Sequence, residues 1–414
     1  MSVTASCDFD VLIAGGGLVG GSLAIALAAT GCRVGLVEAV PHDSEAQPSF
    51  DDRTIALSRG SCRILDGLGI WSQIADTVWP IEQIHISEQN RFGSAVIDAR
   101  EQQIAELGFV IKSRDLGRAI WKIIGDCSSV TTFCPARVAG TDISDDRRLV
   151  TLAEAGVQRE LSTRLLVVAD GARSQLRNEL GIDASDRDYG QVAVVANIQV
   201  DGRKAGHVAY ERFTPHGPLA ILPGRKGRYT LVLARNSETA PLVMAMSDDE
   251  LLGLVQDSFG FRLGRFSRLG KRHAYPLHLV TADRIIKERA VLIGNAANGL
   301  HPVAAQGFNL GLRDVASLAE LLADGLRADA AGFDCGADDL LQNYADWRSS
   351  DQRKVVGFTD GLIRLFGIPG AIASRGRGLG LTAFDLAPAA KRELARQTMG
   401  LSGRLSRLAR GLPL

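Results

Sequence analysis

Gly15-x-Gly17-x-x-Gly20, followed by a carboxylate at Glu38, is the first set of residues whose types and spacing point to chemistry. Glycines so spaced permit a tight turn, let the backbone approach a pyrophosphate, and allow a helix to pack close to the preceding strand. The phosphates then meet a helix N-terminus, where unpaired N–H groups and the helix dipole favour anions. Glu38 lies 18 residues after Gly20 (38 − 20), near the spacing of about 20 at which an acid accepts hydrogen bonds from an adenosine ribose. A 2′-phosphate would be repelled there, so the pattern predicts FAD or NAD rather than NADP.

Two further stretches carry polar residues at turns after apolar runs. Ala169-Asp170-Gly171-Ala172-Arg173-Ser174 directly follows Leu165 to Val168; Asp-Gly is also a common turn. Gly294-Asn295-Ala296-Ala297 leads to His301-Pro302 and then to Gln306-Gly307-Phe308-Asn309-Leu310-Gly311-Leu312-Arg313-Asp314. The elements that position these stretches read as strand, glycine turn, helix, strand over Phe9 to Ala14, Val19 to Thr30 and Val34 to Val37, which is a βαβ unit. Apolar strands at Leu165 to Ala169 and Ala290 to Ile293 are expected to return to the same sheet. Alternating segments at Gln191 to Val200, His207 to Phe213, Gly217 to Leu222 and Tyr229 to Arg235 predict a second, largely antiparallel sheet.

With these stretches in view, the chain resembles the flavin hydroxylases of ubiquinone biosynthesis. The resemblance continues through Phe50-Asp51-Asp52-Arg53-Thr54, Leu68-Gly69-Ile70-Trp71, Glu211-Arg212-Phe213-Thr214-Pro215-His216-Gly217-Pro218-Leu219-Ala220 and Gly270-Lys271-Arg272-His273, and covers nearly the whole sequence. It implies an α/β fold: a discontinuous Rossmann-like FAD-binding domain (1–75, 105–185, 281–345), an inserted antiparallel β-sheet substrate domain (76–104, 186–280) and a helical C-terminal region (346–414). FAD is the implied cofactor, held by Gly15, Gly17, Gly20, Glu38, Arg53, Arg114, Asp170, Asn295, Gly307, Phe308 and Asn309. Most of the wider family has Asp where this chain has Asn295. The helix entered at Gly307 would aim its positive end at reduced flavin, whose negative charge it stabilises.

The implied reaction inserts one oxygen atom of O2 into the ring of a polyprenylated phenol, such as 2-polyprenyl-6-methoxyphenol, through a flavin C4a-hydroperoxide formed with NAD(P)H. Pro302, Gln306 and Gly307 are the implied residues at the reacting centre, and Tyr210, Phe213, His216, Pro218 and Leu219 the implied substrate pocket. Plain core packing is an equal reading for Phe213 and Leu219, and His301 reads as structural. No residue stands out as a base. Two rivals share the flavin motifs: an isoprenoid-chain reductase and a non-catalytic subunit of a biosynthetic assembly.

Equal totals of 47 basic and 47 acidic residues leave no whole-protein field that would gather nucleic acid. Six scattered cysteines lack a metal-ligand rhythm, so no metal is expected and the thiols read as reduced and cytosolic. Glycines interrupt the apolar run Leu12 to Ala29 and acids precede it, which argues against an export signal. Residues 371–414 carry eight Lys or Arg against Asp385 and Glu393, an excess of 8 − 2 = +6. Leu401, Leu405, Leu408 and Leu412 would share one face of a helix there, suggesting either a basic amphipathic membrane anchor or a helix packed on the body. The expected location is cytoplasmic, with peripheral contact to the inner face of the cell membrane and a place in a ubiquinone-biosynthesis complex.

Overall fold

A computed structural model describes residues 7–44, 47, 53–201, 206–301, 303–330, 332–368 and 370–414. Its opening unit is β1 (Phe9–Ala14), α1 (Leu18–Ala28) and β2 (Val34–Val37). α1 is apolar on every side, and such a helix belongs in a core; Leu23, Ala24 and Leu27 are fully buried. There follow β3 (Thr54–Ser58), α2 (Arg59–Gly67), α3 (Trp71–Ile74), β4 (Trp79–Ile81), β5 (Gln83–Glu88), β6 (Ser94–Asp98), β7 (Gly108–Lys112), α4 (Ser113–Gly125) and β8 (Val130–Phe133). A meander of β9 (Arg137–Ser144), β10 (Arg147–Glu154) and β11 (Val157–Val168) then brings the chain back beside β1.

α5 (Gln175–Glu179) leads into β12 (Ala184–Asp201), β13 (Val208–Thr214), β14 (Gly217–Pro223) and β15 (Arg228–Asn236). Next come α6 (Ala240–Ala245), α7 (Asp248–Phe259), β16 (Arg265–Leu269), β17 (His273–Ala282), β18 (Ile286–Lys287), β19 (Ala290–Leu292) and β20 (Asn298–Gly299). Four helices close the described chain: α8 (Gln306–Ala328), α9 (Asp338–Gly367), α10 (Ala371–Asp385) and α11 (Pro388–Thr398).

The first sheet runs β18-β19-β11-β1-β2-β8, with β1 parallel to both β2 and β11, and β11 parallel to β19. Strands in a parallel sheet are covered on both faces and read as continuous apolar runs, as Val11 to Ala14 and Leu165 to Val168 do. The second sheet runs β20-β17-β12-β15-β14-β13-β5-β6 and is antiparallel except where β13 meets β5. β3, β7 and β4 make a small third sheet.

α7 covers one face of the second sheet, where Leu219, Leu231, Leu233, Leu251, Val255 and Phe259 form a separate core. Its start is fixed by a capping box, Ser247 Oγ accepting from Glu250 N–H and the Glu250 carboxylate accepting from Ser247 N–H, worth about 1 kcal/mol.

Two expectations about the C-terminal region are corrected. α9 crosses the expected boundary at 345 as one continuous helix. The expected helix over Leu401 to Leu412 is absent: α11 ends at Thr398, and beyond it only Leu408–Arg410 makes a helical turn. Leu408 is buried in the main core, Leu401 and Leu405 pack against the body, and Arg407 pairs with Asp324 at 2.6 Å. The Arg404 guanidinium lies 3.9 Å from the centre of the Trp347 ring. Packing on the body thus absorbs most of the leucines that suggested an anchor.

Candidate functional site

The turn between β1 and α1 is built so that only glycine fits. Gly15 has φ +107°, and a Cβ there would stand 2.5 Å from the Ala169 carbonyl oxygen. A Cβ on Gly20 would stand 1.9 Å from the Gly15 carbonyl oxygen. Gly17 is the N-cap and supplies no side chain, so it leaves the first N–H groups of α1 for a ligand. Glu38, buried at the end of β2, accepts from Gly16 N–H at 2.7 Å, from Val40 N–H at 2.9 Å and from the Gln47 amide at 3.2 Å. On the other side of the turn, Trp121 of α4 donates its indole N–H to the Gly16 carbonyl at 3.0 Å.

The second and third stretches meet this turn from the end of the parallel sheet. Asp170 follows β11, and its carboxylate reaches Leu176 N–H of α5 at 3.5 Å. Arg177 donates to the carbonyls of Ala172 at 3.3 Å and Ala296 at 3.1 Å, joining the Asp170 turn to the Asn295 turn. Sequence reading missed Arg177, because a lone cation in a short helix carries no pattern. Gly294 packs against Val19 of α1, and a Cβ on Gly311 of α8 would stand 2.8 Å from Val19. The first turn of α1 therefore packs against the second turn of α8 and the Gly294 turn, and the exposed Asn295 amide oxygen lies 3.9 Å from where a Gly307 Cβ would be, in the first turn of α8.

α8 starts after Ala305, whose left-handed φ of +50° turns the chain sharply into the helix. The backbone N–H groups of Gln306, Gly307 and Phe308 fall in its first turn, where a helix supplies no internal acceptor. Phe308 is half-buried against the main core. The Asn309 side chain is a cross-link within the protein. It donates to the carbonyls of Ala56 at 2.9 Å and Ala305 at 2.7 Å, and accepts from Ser58 N–H at 2.8 Å and the Ser61 hydroxyl at 2.7 Å. Its backbone N–H, four residues after the N-cap Ala305, falls to the first bond within α8.

Pro302 lies outside the described residues, as do Phe50, Asp51 and Asp52. His301 is buried, accepts at Nδ1 from Val303 N–H at 3.1 Å and meets the Tyr189 ring edge-on at 5.2 Å. Burial pushes its pKa down to about 4, so it is a neutral ring held in a turn. The Arg53 guanidinium covers the Tyr275 ring at 4.4 Å, and its carbonyl accepts from Ser113 N–H at 2.8 Å, which sets Arg53 beside Arg114 at the head of α4.

A cavity of about 660 Å³ adjoins the start of α8. Val303, Ala305, Gln306 and Asn309 form one end, with Ala56 to Ser58 of β3. Ile84, Ile86 and Ile97 of β5 and β6 and Phe213 of β13 form a wall; Phe358, Leu362, Phe366, Leu381, Phe384 and Leu394 from α9, α10 and α11 complete it. The Phe213 and Phe366 rings stack in parallel at 3.5 Å. These C-terminal helices were read as an appendage; Gly378 of α10, where a Cβ would stand 2.4 Å from the Phe92 carbonyl oxygen, fixes the close approach of that helix to the β5–β6 turn.

Four of the five residues expected to line the pocket are placed elsewhere. Side chains alternate along a strand, so Phe213 faces the cavity while Tyr210 packs against the Phe259 ring of α7. Leu219 is fully buried in that same α7 core. His216 is exposed at the β13–β14 turn. Pro218 pairs with Phe213 across the strands and is buried, but does not border the cavity.

An α/β sheet with a glycine turn at a helix start, a buried acid at the second strand end and a second helix start facing them defines a dinucleotide-binding oxidoreductase. Residues 8–359 match the FAD binding domain family. The chain is 36% identical to ubiquinone hydroxylase UbiL of Rhodospirillum rubrum across all of this chain and 95% of that one. It is 30% identical to 3-demethoxyubiquinol 3-hydroxylase of Escherichia coli across 95% and 98%. Among solved structures it resembles p-nitrophenol 4-monooxygenase PnpA of Pseudomonas putida DLL-E4, with TM-score 0.77 and 19% identity over 95% and 98% of the two chains. The chain belongs to the FAD-dependent hydroxylase family that includes the ubiquinone hydroxylases.

It is a flavoprotein monooxygenase with FAD as its cofactor. The residues present fit that group: the space over Gly15 and Gly20 admits no side chain, and two helix starts offer N–H groups to a diphosphate and to a flavin ring. No group of His, Cys, Asp and Glu side chains that could hold a metal occurs among the described residues.

Proposed function

We propose that the enzyme hydroxylates the ring of a polyprenylated phenol, with 2-polyprenyl-6-methoxyphenol as the substrate, using O2 and NAD(P)H. The observation that carries this reading is the cavity: its size suits one organic ligand, its walls are almost wholly apolar, and it ends at the first turn of α8. The phenol ring would sit at the Gln306 and Ser58 end, and the isoprenoid tail would run between the Ile84 strand and α9 to α11. FAD, when bound, would supply the redox chemistry that takes two electrons from NAD(P)H and splits O2 between the ring hydroxyl and water.

The chain's own residues would do the rest. Gly15, Gly17 and Gly20 admit the diphosphate at the start of α1, with Glu38 directed at the ribose. Arg53, Arg114 and Asp170 border that groove. Asn295 and the backbone of Gly307, Phe308 and Asn309 face the flavin, where the positive end of α8 stabilises its reduced form. Gln306, at the junction of flavin and cavity, would position the ring, with Pro302 as the further residue proposed at the reacting centre. The apolar walls exclude water, which protects the oxygen-transfer step from loss.

The glycine turn, the Asp170 turn and the domain division 1–75, 105–185 and 281–345 serve the flavin in this reading; 76–104 and 186–280 serve the substrate. The protein would work in a biosynthetic complex at the inner face of the cell membrane, although no described helix is long and apolar enough to cross one. Incubation with the prenylated phenol under 18O2 tests the reaction: one labelled oxygen in the ring is expected. Label drawn from water, or reduction of the tail without oxygen gained, would overturn it. Label at another ring carbon would keep the monooxygenase reaction and change the step it serves.

A further inference from the structure

We infer that the outer face of α10, together with the β5–β6 turn, docks on an anionic lipid surface. Ile372 and Leu379 on this helix and Leu386 just beyond its end recur every seven residues, a spacing that drifts only about 20° per repeat. They are 88%, 68% and 77% exposed. The other face of the helix carries Gly376, Gly380, Leu381 and Phe384 into the cavity wall. α10 is thus apolar on two faces, and the fold covers one of them. Phe92, 81% exposed, extends the uncovered face: a Cβ on Gly378 would stand 2.4 Å from the Phe92 carbonyl oxygen, so its turn lies directly against α10. Contiguous apolar surface of this kind marks an interaction site.

Charge selects the occupant. Arg91 and Arg375 are exposed beside the patch and form no ion pair among the described residues. The neighbouring carboxylates are engaged inward: Glu88 holds Arg377 at 2.8 Å and accepts from the Ser374 hydroxyl at 2.7 Å. Asp385 accepts from Val96 N–H at 2.9 Å and faces Lys391 at 3.4 Å. What remains outward is apolar side chains flanked by exposed cations, the pattern that lies in the interface of an anionic bilayer. Leu365 and Ile368 line the cavity and are also exposed, which sets its opening at the α9–α10 junction beside this face. The inference deepens the membrane contact proposed above and rests on that reading: a tail dissolved in the bilayer would enter where the helix meets the lipid.

The full-length, FAD-loaded protein would be sedimented with phosphatidylcholine vesicles, with and without phosphatidylglycerol. Wild type should partition to the anionic vesicles, and the triple variant Ile372→Ser, Leu379→Ser, Leu386→Ser should lose at least about tenfold in partitioning. Its flavin absorbance and melting temperature should be unchanged, because the three side chains are exposed. The Arg91→Gln, Arg375→Gln variant should bind anionic vesicles about thirtyfold more weakly, a cation near such a surface being worth about fivefold. Wild type bound to neither vesicle, or the triple variant bound like wild type, would overturn the inference. So would a self-associated wild type that the triple substitution turns monomeric without loss of vesicle binding, which would assign the face to a second copy. None of these outcomes touches the 18O2 result with a short-chain phenol in solution, so failure of the surface and failure of the reaction are told apart.

Discussion

Asp314, in the interior of α8, accepts the Gly294 N–H at 3.0 Å, which ties that helix to the turn that carries Asn295. The same carboxylate is fully buried and meets Arg348 of α9 at 2.7 Å and the Gln352 amide at 3.1 Å. Burial works against the Arg348 charge, and Asp314 and Asp351 outweigh it. Asp314→Ala would leave the buried Arg348 guanidinium with Asp351 as its one carboxylate, at 2.8 Å, and release the turn, at a cost of up to about 3 kcal/mol. The expected outcome is a large fall in denaturant midpoint together with weaker FAD retention. In the double variant Asp314→Leu, Arg348→Met, stability should largely return while FAD retention stays weak, because the Gly294 tether is still missing. Full recovery of both would show that the tether does nothing for the cofactor.

Glu38 holds Gly16 N–H at 2.7 Å, and in the proposed reading it is also the acid directed at the ribose. Losing a charged acceptor costs roughly 1.5–3 kcal/mol, so Glu38→Ala should raise the FAD dissociation constant about tenfold to a hundredfold. Fluorescence titration of the apoprotein with FAD measures it, and unchanged affinity would remove Glu38 from the site. Gly20→Ala should be harsher, because its Cβ meets the Gly15 backbone, which has no rotamer to yield. Colourless but folded protein is the expected product.

The βαβ opening was readable because its apolar runs, glycines and acid lie within thirty residues of each other, and the strand bounds Phe9–Ala14 and Val34–Val37 agree with that reading. The Asn309 side chain was not readable, since its partners Ala56, Ser58 and Ser61 stand about 250 positions earlier. Alternation along β13 and β14 announces two faces but not which one α7 covers, so Tyr210 and Leu219 were assigned to the wrong side. The cavity wall from α9 to α11 escaped notice because it contains no residue types that signal chemistry. The leucine pattern over 401–412 is satisfied by irregular chain packed on the body, which periodicity alone does not distinguish from a helix.

Phe366 stacks flat on Phe213 and joins α9 to the sheet across the cavity. Phe366→Ala removes that stack, worth about 0.5–1.5 kcal/mol beyond burial, and enlarges the channel. With the ring position held by α8, KM for a long-tailed phenol should rise severalfold while kcat changes little. A short-tailed analogue should show almost no change in KM. Equal effects on both substrates would mean that the tail does not pass Phe366.

His301 gives the protein a stability that weakens in mild acid. Its folded pKa, pushed down to about 4 by burial, lies below the unfolded value of about 6.5. Between those values the unfolded chain binds a proton that the folded chain does not, so stability falls as pH drops through this window and is intact above it. The loss should reach roughly 2 kcal/mol at pH 5 and about 3 kcal/mol below pH 4. His85, also pushed down to about 4 by burial and by Arg262, titrates in the same range and adds to the slope. His301→Gln keeps an acceptor for Val303 N–H and removes one titrating group. Its denaturant midpoint should therefore fall clearly less than that of wild type between pH 7 and pH 5, and parallel curves for the two proteins would show that the His301 ring is protonated in the folded state.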